Sequence, residues 1–367
     1  MALPFQYKYV TRTSMLQQKG LIFFTGAVLF CTTPTFAQQE FSSPELKQMY
    51  QSATDYLARK DYDNAIMMYA QAIRLAPDNV MLRRDLAYTY FVAGKREKAK
   101  EIIDPVVNSE LADEQTYQVA SAVEASLDNR KQAKKILNNG LKKYPNSGLL
   151  YQAKGNLLHA EEKGAKEALQ TWVEGIKAEP SFAANYYSAA KGYLNAGNPV
   201  WALLLGETFI NLDEGTAKAA EIKSLMLDAY RQLFSPADNE KLPDFRAEKN
   251  SNSTAAGFTG LYKSVMTNNA AAISDGLNVE NLIMLRTRFI LEWFRNYSIH
   301  HSSTLFAYHD KLIRSGHFDA YNQWLFGAAS NSQEFSNWVK MNSKQYGDFE
   351  QWKKRNPYQP SISDPLP

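Results

Sequence analysis

His300, His301, His309 and His317 are four of the five histidines in this 367-residue chain. Imidazole is the commonest transition-metal ligand, so a cluster of this kind raises metal-dependent chemistry first. Spacing argues against it. His300 and His301 are adjacent and point to different sides of a helix or strand, and the eight-residue steps to His309 and His317 match no compact ligand motif. A metal would require His309, His317 and a carboxylate, Asp310 or Asp319, to converge through tertiary folding. The stretch from Gly316 to Trp324 interleaves aromatic and polar side chains and marks the place to look for a pocket; a buried helix with one hydrogen-bonding face reads the same way. Lys353, Lys354 and Arg355 fit a solvated helix end. No phosphate loop, zinc-protease helix, nucleophile elbow or dinucleotide fingerprint occurs. The expectation is a chain without catalytic residues, cofactor or resident metal.

The N-terminus carries a different kind of signal. An apolar run from Leu21 to Cys31 follows Lys19 and ends in Pro34, Thr35, Phe36 and Ala37, which reads as an export signal at 1–37 with cleavage after Ala37. The run is too short to span a membrane, which takes about 20 residues. Met15 offers a second start that gives a signal of ordinary length. Bulky Phe30 argues against lipid attachment at Cys31. The signal holds Lys8, Arg12 and Lys19 and no acidic residue, so its removal brings the 41 basic residues level with the 38 acidic ones. Nothing in that balance favours nucleic acid or an anionic membrane as a partner. Cys31, the single cysteine, leaves with the signal, which suits an oxidising compartment. The expected location is the periplasm or cell envelope of a Gram-negative bacterium.

Whatever the chain does must be positioned by its repeats. Ala65, Ala99 and Ala133 are 34 residues apart, and Ala168 and Ala202 continue the series after one single-residue insertion. Around them recur Tyr56 and Tyr90, Leu86 and Ala87, Gly94 and Gly197, and Pro77, Pro145 and Pro180, which close helices. From Asp61 to Leu75, Ala65, Ile66, Tyr69, Ala72 and Ile73 form a stripe at helical spacing that one hairpin cannot bury alone. Stacked neighbours bury it. The third unit departs, with Glu124 where others have tyrosine and Gly140 where the first has Ala72.

Over roughly residues 46 to 216 these units resemble the tetratricopeptide repeat family. The resemblance implies an all-α fold: a right-handed α-α superhelix of about five repeats plus a capping helix, with a smaller helical C-terminal domain beyond it. It also implies a concave groove, lined by the first helix of each pair, that receives an extended peptide or a partner helix. Matched face by face, the lining residues are Tyr50, Arg84, Tyr88, Phe91, Gln118, Gln152, Asn156, His159, Tyr187 and Lys191. Members that clamp a terminal carboxylate use Lys and Asn where this chain has Tyr50 and Thr54, so that mode is not expected.

The organisation that follows is a signal at 1–37, a short lead at 38–45, the repeat array with its cap at 46–234 and a polar linker at 235–256. An aromatic-rich helical domain follows at 257–356 and a disordered tail at 357–367. The cap is a helix from Thr216 to Phe234, and the longest C-terminal helix runs from Val279 to Asn296. Four of the six tryptophans (Trp293, Trp324, Trp338, Trp352) fall in the aromatic-rich stretch, and they fit a core better than a binding face. The expected function is a non-catalytic scaffold or adaptor binding one or more proteins or peptides in the cell envelope, possible membership of an envelope complex included. The alternative is an enzymatic or metal-dependent C-terminal domain to which the array presents substrate; self-association through the array is a third reading.

Overall fold

Helix starts and stops recur in register. Ser43, Asn79, Asp113 and Ser147 cap helices α1 (Pro44–Ala58), α3 (Val80–Val92), α5 (Glu114–Ser126) and α7 (Gly148–His159), each side-chain oxygen accepting a first-turn N–H that has no partner inside the helix. The second helices are α2 (Tyr62–Leu75), α4 (Arg96–Ile103), α6 (Arg130–Lys143) and α8 (Ala165–Ala178), and each stops two residues before a proline: Pro77, Pro105, Pro145 and Pro180. Pro105 is the extra stop that leaves α4 only 8 residues long. A fifth pair, α9 (Ala183–Asn195) and α10 (Pro199–Leu212), is followed by the cap α11 (Ala217–Leu233).

The computed structural model describes residue 41, residues 43–235 and residues 254–367, with side chains from 257 onward in the last stretch. The export signal, half of the lead and the linker residues 236–253 lie outside the described residues. Among the described residues all regular structure is helical. First helices touch in a row, α3 to α5 to α7 to α9 to α11, while each second helix bridges to the next pair. This is a stacked helix-pair array, and the five register alanines are all fully buried in it.

The turn inside four of the five pairs uses one left-handed residue: Lys60, Gly94, Asp128 and Gly197, with φ of 62°, 77°, 63° and 74°. Glycine takes that conformation freely, so Lys60 and Asp128 are the strained copies. The fourth pair lacks the residue because the register insertion falls in its turn. There a Cβ on Gly164 would stand 1.8 Å from the Leu158 carbonyl oxygen. The departures of the third unit are accommodated in place. Glu124 is buried against the Lys100 ammonium and accepts from Asn129 Nδ2 at 2.8 Å, while Gly140 leaves room for the Tyr117 ring, which an added Cβ would approach to 2.9 Å.

Gly155 on α7 faces Trp172 on α8, and a Cβ there would stand 2.2 Å from the indole Nε1. Gly155→Ala is therefore expected to cost about 1–3 kcal/mol through overpacking. Urea unfolding checks it, and an unchanged midpoint would show that the pair can separate freely.

Beyond the cap come α12 (Thr254–Asn268), α13 (Val279–Asn296), α14 (Thr304–Arg314), α15 (Phe318–Asn322), α16 (Ser332–Met341) and α17 (Ser343–Arg355), with a π-helical turn at Gln323–Gly327. One apolar cluster runs from Val80 to Leu157. A second runs unbroken from Leu158 through α10 and α11 to Tyr358, so the C-terminal helices share a core with the last repeats, and residues Ser42–Pro367 fall in one compact unit. Trp293 is fully buried in that core, with its ring centroid 4.9 Å from Phe306 and 5.4 Å from Phe258 and Phe289. Trp324, Trp338 and Trp352 are only half-buried at its edge.

The expectation of a disordered tail fails. Tyr358 is buried, and Asp364 accepts the Thr304 N–H at 2.6 Å. Four prolines exclude helix but not packing: an extended segment can lie on a surface formed by others.

Candidate partner-binding face and a buried ion cluster

Positions 84, 118, 152 and 187 are equivalent in the repeat register, as are 88, 122, 156 and 191 one turn further along the first helices. The structure divides the ten residues read from the sequence as groove lining. Arg84 is buried, its guanidinium paired with Asp85 at 2.7 Å and also with Asp113. Tyr50 donates to the same Asp85 at 3.2 Å and packs edge-on against Tyr69. Burial pushes the Asp85 carboxyl up and Arg84 pulls against it. These residues brace units one to three against each other, and Arg84 is corrected from groove lining to internal brace, because an arginine this enclosed reaches its carboxylates before it reaches solvent. Tyr187 donates to Glu221 on α11 at 2.6 Å, and Lys191 pairs with Glu221 at 2.6 Å, so both help seat the cap.

Tyr88, Phe91, Gln118, Gln152 and Asn156 are half-open and His159 is exposed. They follow one stripe across α3, α5 and α7. On α5 the matching turns carry half-exposed Ala122 and Ala125. The face therefore has a low alanine step between an aromatic edge, Tyr88 and Phe91, and a polar edge of Gln152, Asn156 and His159. Aromatic rings can cover apolar side chains there, and amides and imidazole can hydrogen-bond a peptide backbone.

The densest ionisable cluster lies elsewhere, between α10 and the C-terminal helices. Glu207 Oε1 accepts from Arg286, from His309 Nε2 at 2.7 Å and from the Tyr321 hydroxyl at 2.8 Å. Asn211 Nδ2 donates to the Tyr321 oxygen at 2.7 Å, and Arg286 Nη1 donates to Asn322 Oδ1 at 2.6 Å. The His309 Nε2 proton is assigned to the carboxylate, an acceptor-only partner, which leaves Arg286 to Glu207 and Asn322. Burial alone would raise the Glu207 pKa; Arg286 and then His309 outweigh it and bring it to about 2. Burial pushes the His309 imidazole down, against the pull of Glu207.

A carboxylate–imidazole–phenol set resembles an acid–base site, but all its members are buried and the void beside Glu207, Arg286 and His309 is about 10 Å³. That is room for about one water and not for a substrate. The cluster is a closed latch. Sequence reasoning missed Glu207 and Arg286, although both left a trace: Glu207 is the single charge in the apolar helix α10, and Arg286 sits beside Leu285 on the buried stripe of α13.

His309 faces this latch, whereas His317 rests on Trp352 with ring centroids 5.5 Å apart and Asp319 is exposed. The three do not converge, and among the described residues no group of three His, Cys, Asp or Glu could hold a metal. Of the stretch Gly316 to Trp324, Gly316 and His317 border an open cleft of about 450 Å³ with Asn342, Lys344 and Asp348, while Phe318, Tyr321 and Asn322 turn into the core. Among the described residues no helix is long and apolar enough to cross a membrane.

Residues 56–123 match the family model described as tetratricopeptide repeat. A comparison with curated proteins found no match. Among solved structures, the chain is similar to a thermophilic tetratricopeptide-repeat protein of Thermus thermophilus at 17% identity and a TM-score of 0.42, covering 52% of this chain and 100% of that one. It is similar to PilW, described as a widely conserved type IV pilus biogenesis factor, at 17% identity and a TM-score of 0.43, covering 52% of this chain and 87% of that one. YrrB, described as a tetratricopeptide-repeat protein with an unusual peptide-binding site, is similar at 18% identity and a TM-score of 0.34, covering 50% of this chain and 90% of that one. At such identities and TM-scores none of these likenesses bears on function.

Proposed function

We propose that this tetratricopeptide-repeat protein is a non-catalytic adaptor that holds an extended segment of another protein on the α3–α5–α7 face, working in the periplasm or cell envelope of a Gram-negative bacterium. Repeats of this kind mediate protein and peptide binding. The observation that carries the reading is the alanine step between Tyr88 and Phe91 on one side and Gln152, Asn156 and His159 on the other, all of them half-open or exposed. The envelope location rests on the apolar run Leu21 to Cys31 and the cleavage pattern ending at Ala37.

The test is affinity capture from envelope extract with the exported protein and with a Tyr88→Ala, Phe91→Ala variant of it. Loss of buried aromatic anchors costs about 2 kcal/mol or more at a binding centre, roughly a thirtyfold drop in affinity. The expected result is a partner retained by the parent and lost by the variant, with helical circular dichroism unchanged. Equal retention by both proteins would move the binding surface off this face.

A further inference from the structure

Helix α13 buries Leu282, Leu285, Arg286, Phe289 and Trp293 on its inner side. At about 3.6 residues per turn, the line opposite them runs through Met284, Arg288, Leu291 and Arg295. All four are exposed, Met284 at 41% and Leu291 at 55%. Neither arginine has an ion pair or side-chain hydrogen bond among the described residues. Beside the line, in the first turn, Glu280 is exposed as well, with one oxygen accepting from Gln323 Nε2 at 3.3 Å.

The end charges serve the helix by themselves, because an acid in the first turn and a base in the last complement its dipole. Met284 and Leu291 do not. They occupy the middle of a solvent-facing side, where an isolated surface helix carries polar residues.

The order of residues along this side is self-complementary. Glu280 and Arg295 have the same midpoint as Met284 and Leu291, between Thr287 and Arg288. A second copy of α13 turned antiparallel about that point sets Glu280 against the partner's Arg295 and Met284 against the partner's Leu291. Two-fold symmetry then repeats both contacts on the other half. A foreign partner would have to supply an acid, an apolar pair and a base in the reverse order; a second copy has them in place. Arg288 falls beside the two-fold axis and meets its own copy, the one pairing that opposes association.

We propose that the outer side of α13 is a homodimer interface, in which two copies of this chain pair antiparallel through Met284 and Leu291 and each Glu280 bonds Arg295 of the other copy. The contact lies outside the repeat array. One helix pair covers less than the about 800 Å² per partner of a standard interface, so the dimer is weak and reversible.

The test is sedimentation equilibrium of the exported chain from micromolar to near-millimolar concentration, with circular dichroism confirming the fold of each variant. The parent is expected to move from monomer towards dimer mass. Leu291→Asp, Glu280→Arg and Arg295→Glu should each weaken association by about tenfold or more, since each puts a charge against an apolar group or a like charge. Glu280→Arg combined with Arg295→Glu restores opposite charges and should return to within a few-fold of the parent. Arg288→Gln, which removes the opposing pair, should tighten association. Monomer mass throughout would leave this side to a different protein or to no partner and overturn the proposal. Dimerisation indifferent to Leu291→Asp, or a combined variant no better than its single parents, overturns it too.

Discussion

Replacing Arg286 with alanine is expected to lower the unfolding free energy by about 3–5 kcal/mol, the range for removing one partner of a buried ion pair. Glu207 would keep two neutral donors, His309 and Tyr321, but lose its counter-charge in a site with room for about one water. Glu207→Leu together with Arg286→Met removes the unpaired charge and should recover part of the loss, the remainder being the His309, Tyr321 and Asn322 groups left without their partners. Urea unfolding of the two variants decides; a single variant within about 1 kcal/mol of the parent would mean that Glu207 is not held as an ion.

The same cluster sets the response to acid. His309 and Glu207 both have folded pKa values below their ordinary values of 6.5 and 4.5. Each therefore contributes stability that is present above its ordinary value and lost as pH falls. The loss begins below about pH 6.5 with His309 and continues from 4.5 towards about 2 with Glu207. At the other end, burial raises the Tyr262 and Tyr321 phenols above their ordinary 10.0, so their contribution is lost as pH rises past that value. The contribution of these four groups should be flat between roughly neutral and pH 10, which urea unfolding of the parent and of His309→Ala across that range checks.

The second large effect is expected at Trp293. Trp293→Ala should cost about 3–5 kcal/mol, the transfer of a buried indole plus the cavity it leaves. The indole also donates to the His301 carbonyl at 3.1 Å, which would lose its partner. Because Phe258 links Trp293 to Trp201 of α10, with ring centroids 5.4 and 5.8 Å apart, the loss should spread into the last repeat pair. Hydrogen exchange is expected to quicken in α10, α12 and α13 together, while α3 to α6, built on the other apolar cluster, keep their protection. Faster exchange confined to α13 would contradict a shared core.

Much of the array could be read directly because its determinants are local. The alanine register, the capping oxygens and the prolines act within one helix pair, and the helix from Val279 to Asn296 followed from its own apolar stripe. The third unit's departures, Glu124 and Gly140, break the local pattern, yet Lys100 and Tyr117 come from neighbouring segments to fill those places. Groove lining was legible as a register and not as exposure. Arg84 and Gln118 are equivalent in sequence, but Arg84 is withdrawn by Asp85 and by Asp113, 29 residues on.

Sequence by itself determined the helices, their pairing and the face shared by successive first helices, because periodicity and end signals act over a few residues. Tertiary structure alone decided how the C-terminal region is held. Glu207, Arg286, His309 and Tyr321 are spread over more than 100 residues, and one carboxylate draws them together because a buried charge must find its partners wherever the chain brings them. The same reason seats residues 358–366: no local preference marks them as folded, but Thr304 offers two donors at a helix end, and Asp364 is the carboxylate within reach.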